Sequence, residues 1–148
     1  MDKETLNFMY PAEIVSMSFR LSVKALQWLH GTTTDDDGKE TGNFTLFDDL
    51  LSGMALAVVE SNGFRRPLVL SAGQVQYSEK QLSSRWNTGR KRVRNLLTTL
   101  TELGLIDTRR SRVASVMTFP RLLEWETTDG CTISNPSYHE QRERTGDG

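Results

Sequence analysis

Residues 78–104 read SEKQLSSRWNTGRKRVRNLLTTLTELG, and this stretch decides the predicted fold. Ser78 is a favourable N-cap, so a short helix is expected to begin directly after it. The turn NTG at positions 87–89 suits a tight connection between two helices, because Asn and Gly tolerate left-handed backbone angles. A longer helix is expected to begin near Arg90 and to end before Gly104, since glycine is common just beyond helix ends. The stretch therefore predicts two helices joined by a tight turn.

The longer helix is amphipathic, and the residues around it are typical of short strands. Its apolar residues recur at helical spacing and form a single stripe. They are Val93, Leu96, Leu97, Leu100 and Leu103. A strand is predicted to begin at residues 105–106, with a charged tip at 109–112 and a return strand at 113–119 that Pro120 ends. A further short strand is predicted at 74–77. Two helices joined by a short turn and followed by a hairpin are typical of a winged helix-turn-helix.

The rest of the chain divides by composition. Residues 44–60 place apolar side chains at helical spacing, which predicts the first helix of the core within a domain of residues 44–120. Residues 1–31 are interpreted as an N-terminal segment with an amphipathic helix. The acidic stretch 32–43 is interpreted as a linker, and residues 121–148 as a largely disordered tail, because both are polar. The predicted fold class is α+β, mainly α: a winged helix-turn-helix with a three-helix core, a β-hairpin wing and an extra N-terminal helix.

Positive charge is concentrated in the part of the chain that carries the two helices and the hairpin. Residues 80–112 hold nine basic and two acidic side chains, a net charge of +7, although the whole chain has a net charge of −1. Such asymmetry is what a phosphate-binding surface requires. An exposed basic face without a partner is the alternative, since surface charge is common in globular proteins.

If the leucine stripe of the longer helix faces inward, the basic side of that helix faces solvent. At about 100° per residue, Lys91, Asn95, Thr98 and Glu102 lie opposite the stripe. In helix-turn-helix proteins, the N-terminal residues of the second helix reach base edges in the major groove. The predicted DNA-contacting residues are Arg90, Lys91, Arg92, Arg94, Asn95, Thr98, Arg109, Arg110 and Arg112.

The roles of these residues follow from side-chain chemistry. Arginine binds guanine O6 and N7 with two hydrogen bonds, and asparagine binds adenine N6 and N7 in the same way. Arg94 and Asn95 are therefore the candidates for base reading, and Lys91 for contact with bases or phosphate. Arg90 and Arg92 are assigned to phosphate. The hairpin arginines are expected to reach the backbone or the minor groove of the neighbouring turn. The alternative is that the arginines only solubilise the helix, or pair with the three consecutive aspartates of the linker.

Four short segments carry a family resemblance. They are GQVQYS at 73–78, LSSRW at 82–86, RKRVRNLL at 90–97 with Leu100 after it, and GLI at 104–106. In this order they resemble the winged-helix domain of phage and mobile-element replication proteins, namely the replisome organisers and the N-terminal domains of DnaD-like proteins. The resemblance covers about half of the chain, residues 44–119. The core residues that it implies are Leu82, Trp86, Val93, Leu97, Leu100 and Ile106.

The chain departs from this family at two places. The family turn usually carries Gly, an aliphatic residue and Ser, whereas this sequence has Asn87, Thr88 and Gly89. The helical C-terminal domain that accompanies the module in the replication proteins has no counterpart in residues 121–148. The resemblance therefore does not imply helicase loading.

Enzyme, metal and membrane functions find no support in the sequence. His30 and His139 lie far apart, and the single cysteine, Cys131, has no other ligand at metal-binding spacing. The aspartates at 35–37 are interpreted as solvated charge rather than a Mg²⁺ site. Phosphate-binding glycine loops, nucleophile elbows and metalloprotease helices are absent. No apolar run approaches the roughly 20 residues that span a bilayer. We therefore expect a cytoplasmic, non-enzymatic protein without a metal or cofactor.

The leading expectation is a protein that binds double-stranded DNA in the replication, transfer or transcriptional control of a phage or mobile element. The alternative is a protein-interaction module that forms a homodimer or joins a replication or regulatory protein. The helix predicted within residues 16–30, with Ser22 as its N-cap and Gly31 beyond its end, would supply that contact. Packing of this helix on the main domain is the other interpretation, because short helices need tertiary contacts.

Overall fold

The computed structural model describes residues 13–54, 59–61, 68–70, 72–110 and 115–138. In chain order the elements are β1 (Ile14–Phe19), α1 (Val23–Leu29), β2 (Thr32–Thr34), β3 (Glu40–Gly42), α2 (Asn43–Leu51), β4 (Val59–Ser61), β5 (Leu68–Leu70), β6 (Val75–Tyr77), α3 (Glu79–Trp86), α4 (Arg90–Glu102), β7 (Asp107–Arg110), β8 (Ser115–Thr118), β9 (Leu122–Thr127) and β10 (Thr132–Ser134). Strands and helices hold about equal numbers of residues.

The prediction of a mainly α fold, built from a three-helix core with a wing and one extra helix, is wrong. The described residues form four helices and ten strands, and the strands make four small antiparallel sheets. The additional strands come largely from segments that were predicted to be a linker and a disordered tail. Because those segments pair and pack, the fold is α+β with strand and helix in equal measure.

Several locally encoded predictions are confirmed. Ser78 caps α3 by accepting a hydrogen bond from the backbone N–H of Gln81 at 3.0 Å, and Ser22 caps α1 in the same way. Asn87 follows α3 with a φ of 54°, the left-handed angle that the turn requires. Gly104 lies two residues beyond α4 with a φ of 79°. Side-chain capping and backbone sterics therefore fix the boundaries of these helices.

The helix predicted over residues 44–60 is shorter than expected. It is α2, which ends at Leu51, and residues 59–61 form the strand β4 instead. The hydroxyl of Ser52 donates to the carbonyl of Asp49 at 2.8 Å, and Gly53 follows with its high conformational cost in a helix. The apolar spacing continues past this point, but local backbone preferences stop the helix.

A three-stranded antiparallel sheet lies beside the pair of helices α3 and α4. Its strand order is β6-β8-β7, so β8 is central and β7 is an edge strand. Val75 pairs with Met117, and Arg109 pairs with Val116. Strands β7 and β8 form a hairpin, called here the basic hairpin, whose described residues carry Arg109 and Arg110. Its tip, including the predicted site residue Arg112, lies outside the described residues.

Residues 121–138 are not part of the disordered tail that their polarity predicted, and the rest of that predicted tail, 139–148, lies outside the described residues. Strand β9 pairs with β1 on one side and β10 on the other, and Trp125 sits opposite both Met17 and Ile133. Trp125 and Leu122 are buried at 1% and 0% exposure. Burial of these two large side chains supplies the apolar contact that holds residues 122–134 on the domain.

The acidic stretch 32–43 is not a linker either. Its ends form the antiparallel pair β2–β3, with Thr32 opposite Gly42 and Thr34 opposite Glu40. The intervening loop is tied by the Asp35 carboxylate, whose Oδ1 accepts backbone N–H bonds from Asp37 at 2.8 Å and from Lys39 at 2.9 Å. We call residues 35–37 the acidic loop.

One hydrophobic core takes residues from all four helices and from the sheets β1-β9-β10 and β6-β8-β7. The six core residues implied by the family resemblance are all buried. They are Leu82, Trp86, Val93, Leu97, Leu100 and Ile106. Helix α1 joins this core through Ala25 and Leu29, which favours the packing interpretation of the N-terminal helix. None of the helices in the described part of the chain has the length and apolar character needed to cross a membrane.

Asn135 fastens the C-terminal segment to the core, and its replacement by alanine is expected to destabilise the protein. The buried amide Nδ2 donates to the carbonyls of Phe119 at 2.9 Å and Leu122 at 2.8 Å. Asn135→Ala leaves both carbonyls without this donor, so the free energy of unfolding should fall by about 2 kcal/mol. Urea denaturation measures this change. Ser134→Ala, at an exposed neighbouring position, is the control, and equal midpoints for the two variants would contradict the assignment.

Candidate nucleic-acid interface

Helix α4 buries one side and exposes the other. Val93, Leu97 and Leu100 are buried at 7% exposure or less. At about 100° per residue, Lys91 and Asn95 lie on the opposite side, and both are exposed. The helix begins after Gly89, which provides no side-chain cap for the first N–H groups. The basic N-terminal half of α4 is therefore open to solvent.

The exposed side of α4 consists of three adjacent stripes. The central stripe, called here the crest, carries Lys91, Asn95, Thr98 and Glu102. The flank nearer the basic hairpin carries Arg90 and Arg94, which share the carboxylate of Glu79 with Arg110 of that hairpin. The opposite flank carries Arg92, Leu96 and Thr99 and borders a groove beside the acidic loop. Each stripe follows from the helical repeat, since residues three or four apart share a face.

Glu79, the first residue of α3, joins α4 to the basic hairpin. Its carboxylate accepts from Nε of Arg94 at 3.0 Å and from Nη2 of Arg110 at 2.5 Å, and Nη2 of Arg90 lies 3.9 Å away. The Glu79 side chain is 10% exposed, whereas the arginine side chains are 58–64% exposed. One carboxylate thus orients three arginines from two elements and leaves the cluster with a net charge of +2.

The structure exposes every predicted site residue that it describes. These are Arg90, Lys91, Arg92, Arg94, Asn95, Thr98, Arg109 and Arg110. Four of them, Lys91, Arg92, Asn95 and Thr98, lie on α4 with no side-chain hydrogen bond or ion pair to any described residue. Sequence reasoning missed the role of Glu79. Its spacing from the arginines carries no local signal.

The acidic loop packs against the turn that precedes α4. The amide Nδ2 of Asn87 donates to Asp35 Oδ2 at 3.1 Å and to Asp37 Oδ2 at 2.9 Å. The backbone N–H of Asp36 donates to the carbonyl of Asn87 at 2.9 Å. Thr88 is buried at 5% exposure, and its hydroxyl donates to Asp36 Oδ1 at 3.2 Å. Asn87 and Thr88, two of the residues at which the turn differs from that of the family it resembles, thus both bind the acidic loop.

A groove of about 550 Å³ runs between the acidic loop and α4. Thr33, Asp36 and Thr88 line one wall, while the other wall consists of α4 residues. Those α4 residues are Lys91, Arg92, Asn95, Leu96 and Thr99. Negative charge on one wall therefore faces positive charge on the other.

An ion pair between the buried Asp49 of α2 and the partly exposed Arg85 of α3 holds these two helices together. Asp49 on α2 is 3% exposed, and its Oδ2 accepts from Arg85 Nη2 at 2.5 Å and Nε at 3.2 Å. The same oxygen accepts from the indole Nε1 of Trp86 at 2.9 Å. These three hydrogen bonds satisfy two side chains at the end of α3, directly before the turn into α4.

The single cysteine, Cys131, lies in the turn between β9 and β10. The hydroxyl of Thr127 donates to the Asp129 carboxylate at 2.5 Å and lowers the pKa of Asp129. The Asp129 carboxylate in turn accepts from Cys131 and repels a thiolate, which raises the pKa of Cys131. A raised pKa lowers the fraction of the thiolate, which is the nucleophilic form. The sulfur of Cys131 is therefore less nucleophilic than that of an ordinary exposed cysteine.

Comparisons with models of known protein families, with curated proteins and with solved structures give no match to this chain.

Proposed function

We propose that this protein binds double-stranded DNA through α4 and the basic hairpin, without enzymatic activity or a cofactor. The observation that carries the proposal is the crest of α4, where Lys91 and Asn95 are exposed and form no side-chain hydrogen bond or ion pair with the described residues. An α-helix fits the major groove of B-DNA, so a free basic and amide-bearing crest is suited to contact base edges there.

The positions on α4 distinguish base contacts from phosphate contacts. Lys91 and Asn95 occupy the crest, and their chemistry suits guanine O6 and N7 and adenine N6 and N7 respectively. Arg94 was expected to read bases, but its Nε is bound to Glu79 on the flank of the helix. We therefore propose that Lys91 and Asn95 read bases and that Arg94 contacts phosphate.

The cluster around Glu79 supports a phosphate contact that spans two elements. Arg94 and Arg110 each use one nitrogen on Glu79, and their side chains remain 58% and 64% exposed. Arg109 is a further exposed cation on the same strand of the hairpin. Arginine clusters with fixed side chains bind phosphate oxygens with little loss of side-chain entropy. Such contacts would set the register of the helix on the duplex.

The biological process is proposed from the family resemblance: replication, transfer or transcriptional control of a phage or mobile element, in the cytoplasm. The alternative role of α1 as a contact helix is confined to its outer side: Ala25 and Leu29 pack into the core, whereas Val23 and Leu26 are 69% and 41% exposed.

Salt-dependent binding tests the proposal. Fluorescence anisotropy with a labelled random duplex should show affinity falling by about a hundredfold between 0.05 and 0.2 M salt, the loss expected from about four released counterions. A single strand of the same length is the matched control and should bind more weakly, since it offers no major groove for α4. Absence of binding at the lower salt concentration, or equal binding of the single strand, would refute duplex recognition.

A further inference from the structure

Helix α4 is flanked by two hairpins of opposite charge. On the Arg90 and Arg94 flank lies the basic hairpin, attached through Glu79. On the Arg92 flank, across the groove, lies the acidic loop at residues 35–37. Because the two hairpins belong to different sheets and have opposite charge, the two sides of α4 present different electrostatic environments to any polyanion.

This asymmetry matters for a helix in a major groove. A helix that lies between the two sugar–phosphate strands has one strand on each side. The strand on the side of the basic hairpin meets exposed arginines. The strand on the opposite side approaches the carboxylates of the acidic loop, and like charges within a Debye length of about 10 Å at 0.1 M salt repel each other.

The acidic loop is held in this position by several contacts. Asn87 donates to two carboxylates, the backbone of Asp36 bonds to the Asn87 carbonyl, and Thr88 donates to Asp36. Within the loop, Asp35 accepts two further backbone bonds. The turn that orients α4 therefore also fixes the negative charge beside it.

We propose that the acidic loop is a selectivity element of the α4 surface. It repels one phosphate strand of any duplex, so the backbone contacts alone bind weakly and the complex depends on base contacts from Lys91 and Asn95. The loop thereby suppresses binding to DNA of arbitrary sequence and lowers the total affinity only modestly. Unfavourable contacts create specificity in this way, because they weaken binding to the wrong partner more than binding to the right one. This inference rests on the proposed binding of duplex DNA.

Charge neutralisation at the loop tests the inference. Asp36→Asn/Asp37→Asn removes two charges while each side chain keeps an oxygen that can accept from Thr88 or Asn87. Affinity for a random duplex, measured by anisotropy at 0.1 M salt, should rise about three- to tenfold, because repulsion within the Debye length is removed. The gain should shrink as salt rises. Asp36→Asn alone, which changes one loop contact, should give a smaller gain in the same direction.

Glu124→Gln/Glu126→Gln is the matched control. It makes the same change in net charge on β9, in the sheet formed with β1 and β10, and should alter affinity by less than about twofold, since neither residue lines the groove beside α4. If the parent binds duplex and the loop variants bind no more tightly than this control, the selectivity role is wrong and the proposed function stands. If neither parent nor variants bind at 0.05 M salt, the proposed function falls, and the inference with it.

Discussion

Replacing Lys91, Arg92 and Asn95 together by alanine is expected to weaken duplex binding by a hundredfold or more. The variant loses two positive charges and both proposed base-reading side chains, and each good base contact contributes about 1–3 kcal/mol of discrimination. All three side chains are exposed and form no hydrogen bond or ion pair with the described residues, so the midpoint of thermal unfolding should stay close to that of the parent. Anisotropy titration and circular dichroism measure the two quantities.

The control for this variant is Arg20→Ala/Lys24→Ala. It removes the same number of positive charges at exposed positions near β1 and α1. A purely non-specific attraction between net charge and DNA would weaken both variants equally, and that outcome would contradict a role for the crest of α4. A loss confined to the first variant supports local contact.

Asp49→Ala is expected to have the largest effect on stability. The substitution leaves Arg85 without its carboxylate and the buried Trp86 indole N–H without an acceptor. The loss should cost about 3 kcal/mol, because the Trp86 indole N–H stays desolvated, whereas Arg85, whose side chain is 26% exposed, is partly rehydrated. Since α3 carries Glu79 and leads into α4, we also expect weaker DNA binding at temperatures near the lowered unfolding midpoint.

Calorimetry and urea unfolding measure this prediction. Asp49→Asn retains an oxygen acceptor for Trp86 but no charge, so it should lie between the parent and Asp49→Ala. Glu102→Ala, at an exposed position of α4, should change stability by less than about 0.5 kcal/mol, the usual range for surface substitutions. An unfolding free energy for Asp49→Ala within that range would show that the pair contributes nothing to the fold.

The elements that sequence reasoning predicted well are those that local chemistry determines. The caps at Ser22 and Ser78, the left-handed Asn87 and the end of α4 before Gly104 all follow from groups within four residues of one another. The exposure of the basic side of α4 follows from the helical repeat once its leucines are buried. These features needed no knowledge of distant contacts.

The fold class was wrong because two hairpins were mistaken for a linker and a tail. Both carry an Asp-Gly pair at their turn, Asp37-Gly38 and Asp129-Gly130, and both glycines adopt positive φ, 84° and 87°. Asp-Gly flanked by residues that favour strands is a strong local hairpin signal. Polarity outweighed that signal in the prediction, although threonine-rich segments are compatible with strands.

Other parts of the candidate site depend on distant residues and had no local signal. The contacts of Glu79 with Arg94 and Arg110 span 15 and 31 positions, and those of Asn87 with the acidic loop span about 50. The same is true of Asp49 with Arg85, which are 36 positions apart. The sequence predicted the positive side of α4, but not the carboxylates that orient and border it.

The pairing of β1 with β9 has a consequence for the order of events in biosynthesis. Ser16 and Glu126 meet across this pair although 110 positions separate them. Strand β1 is therefore synthesised well before β9. The part of the hydrophobic core that contains Trp125 stays incomplete until β9 has been made. Contacts of such long separation slow the search for the native topology. Helices α3 and α4 can form early, but the sheet around Trp125 is complete only after residues 122–134 have been made.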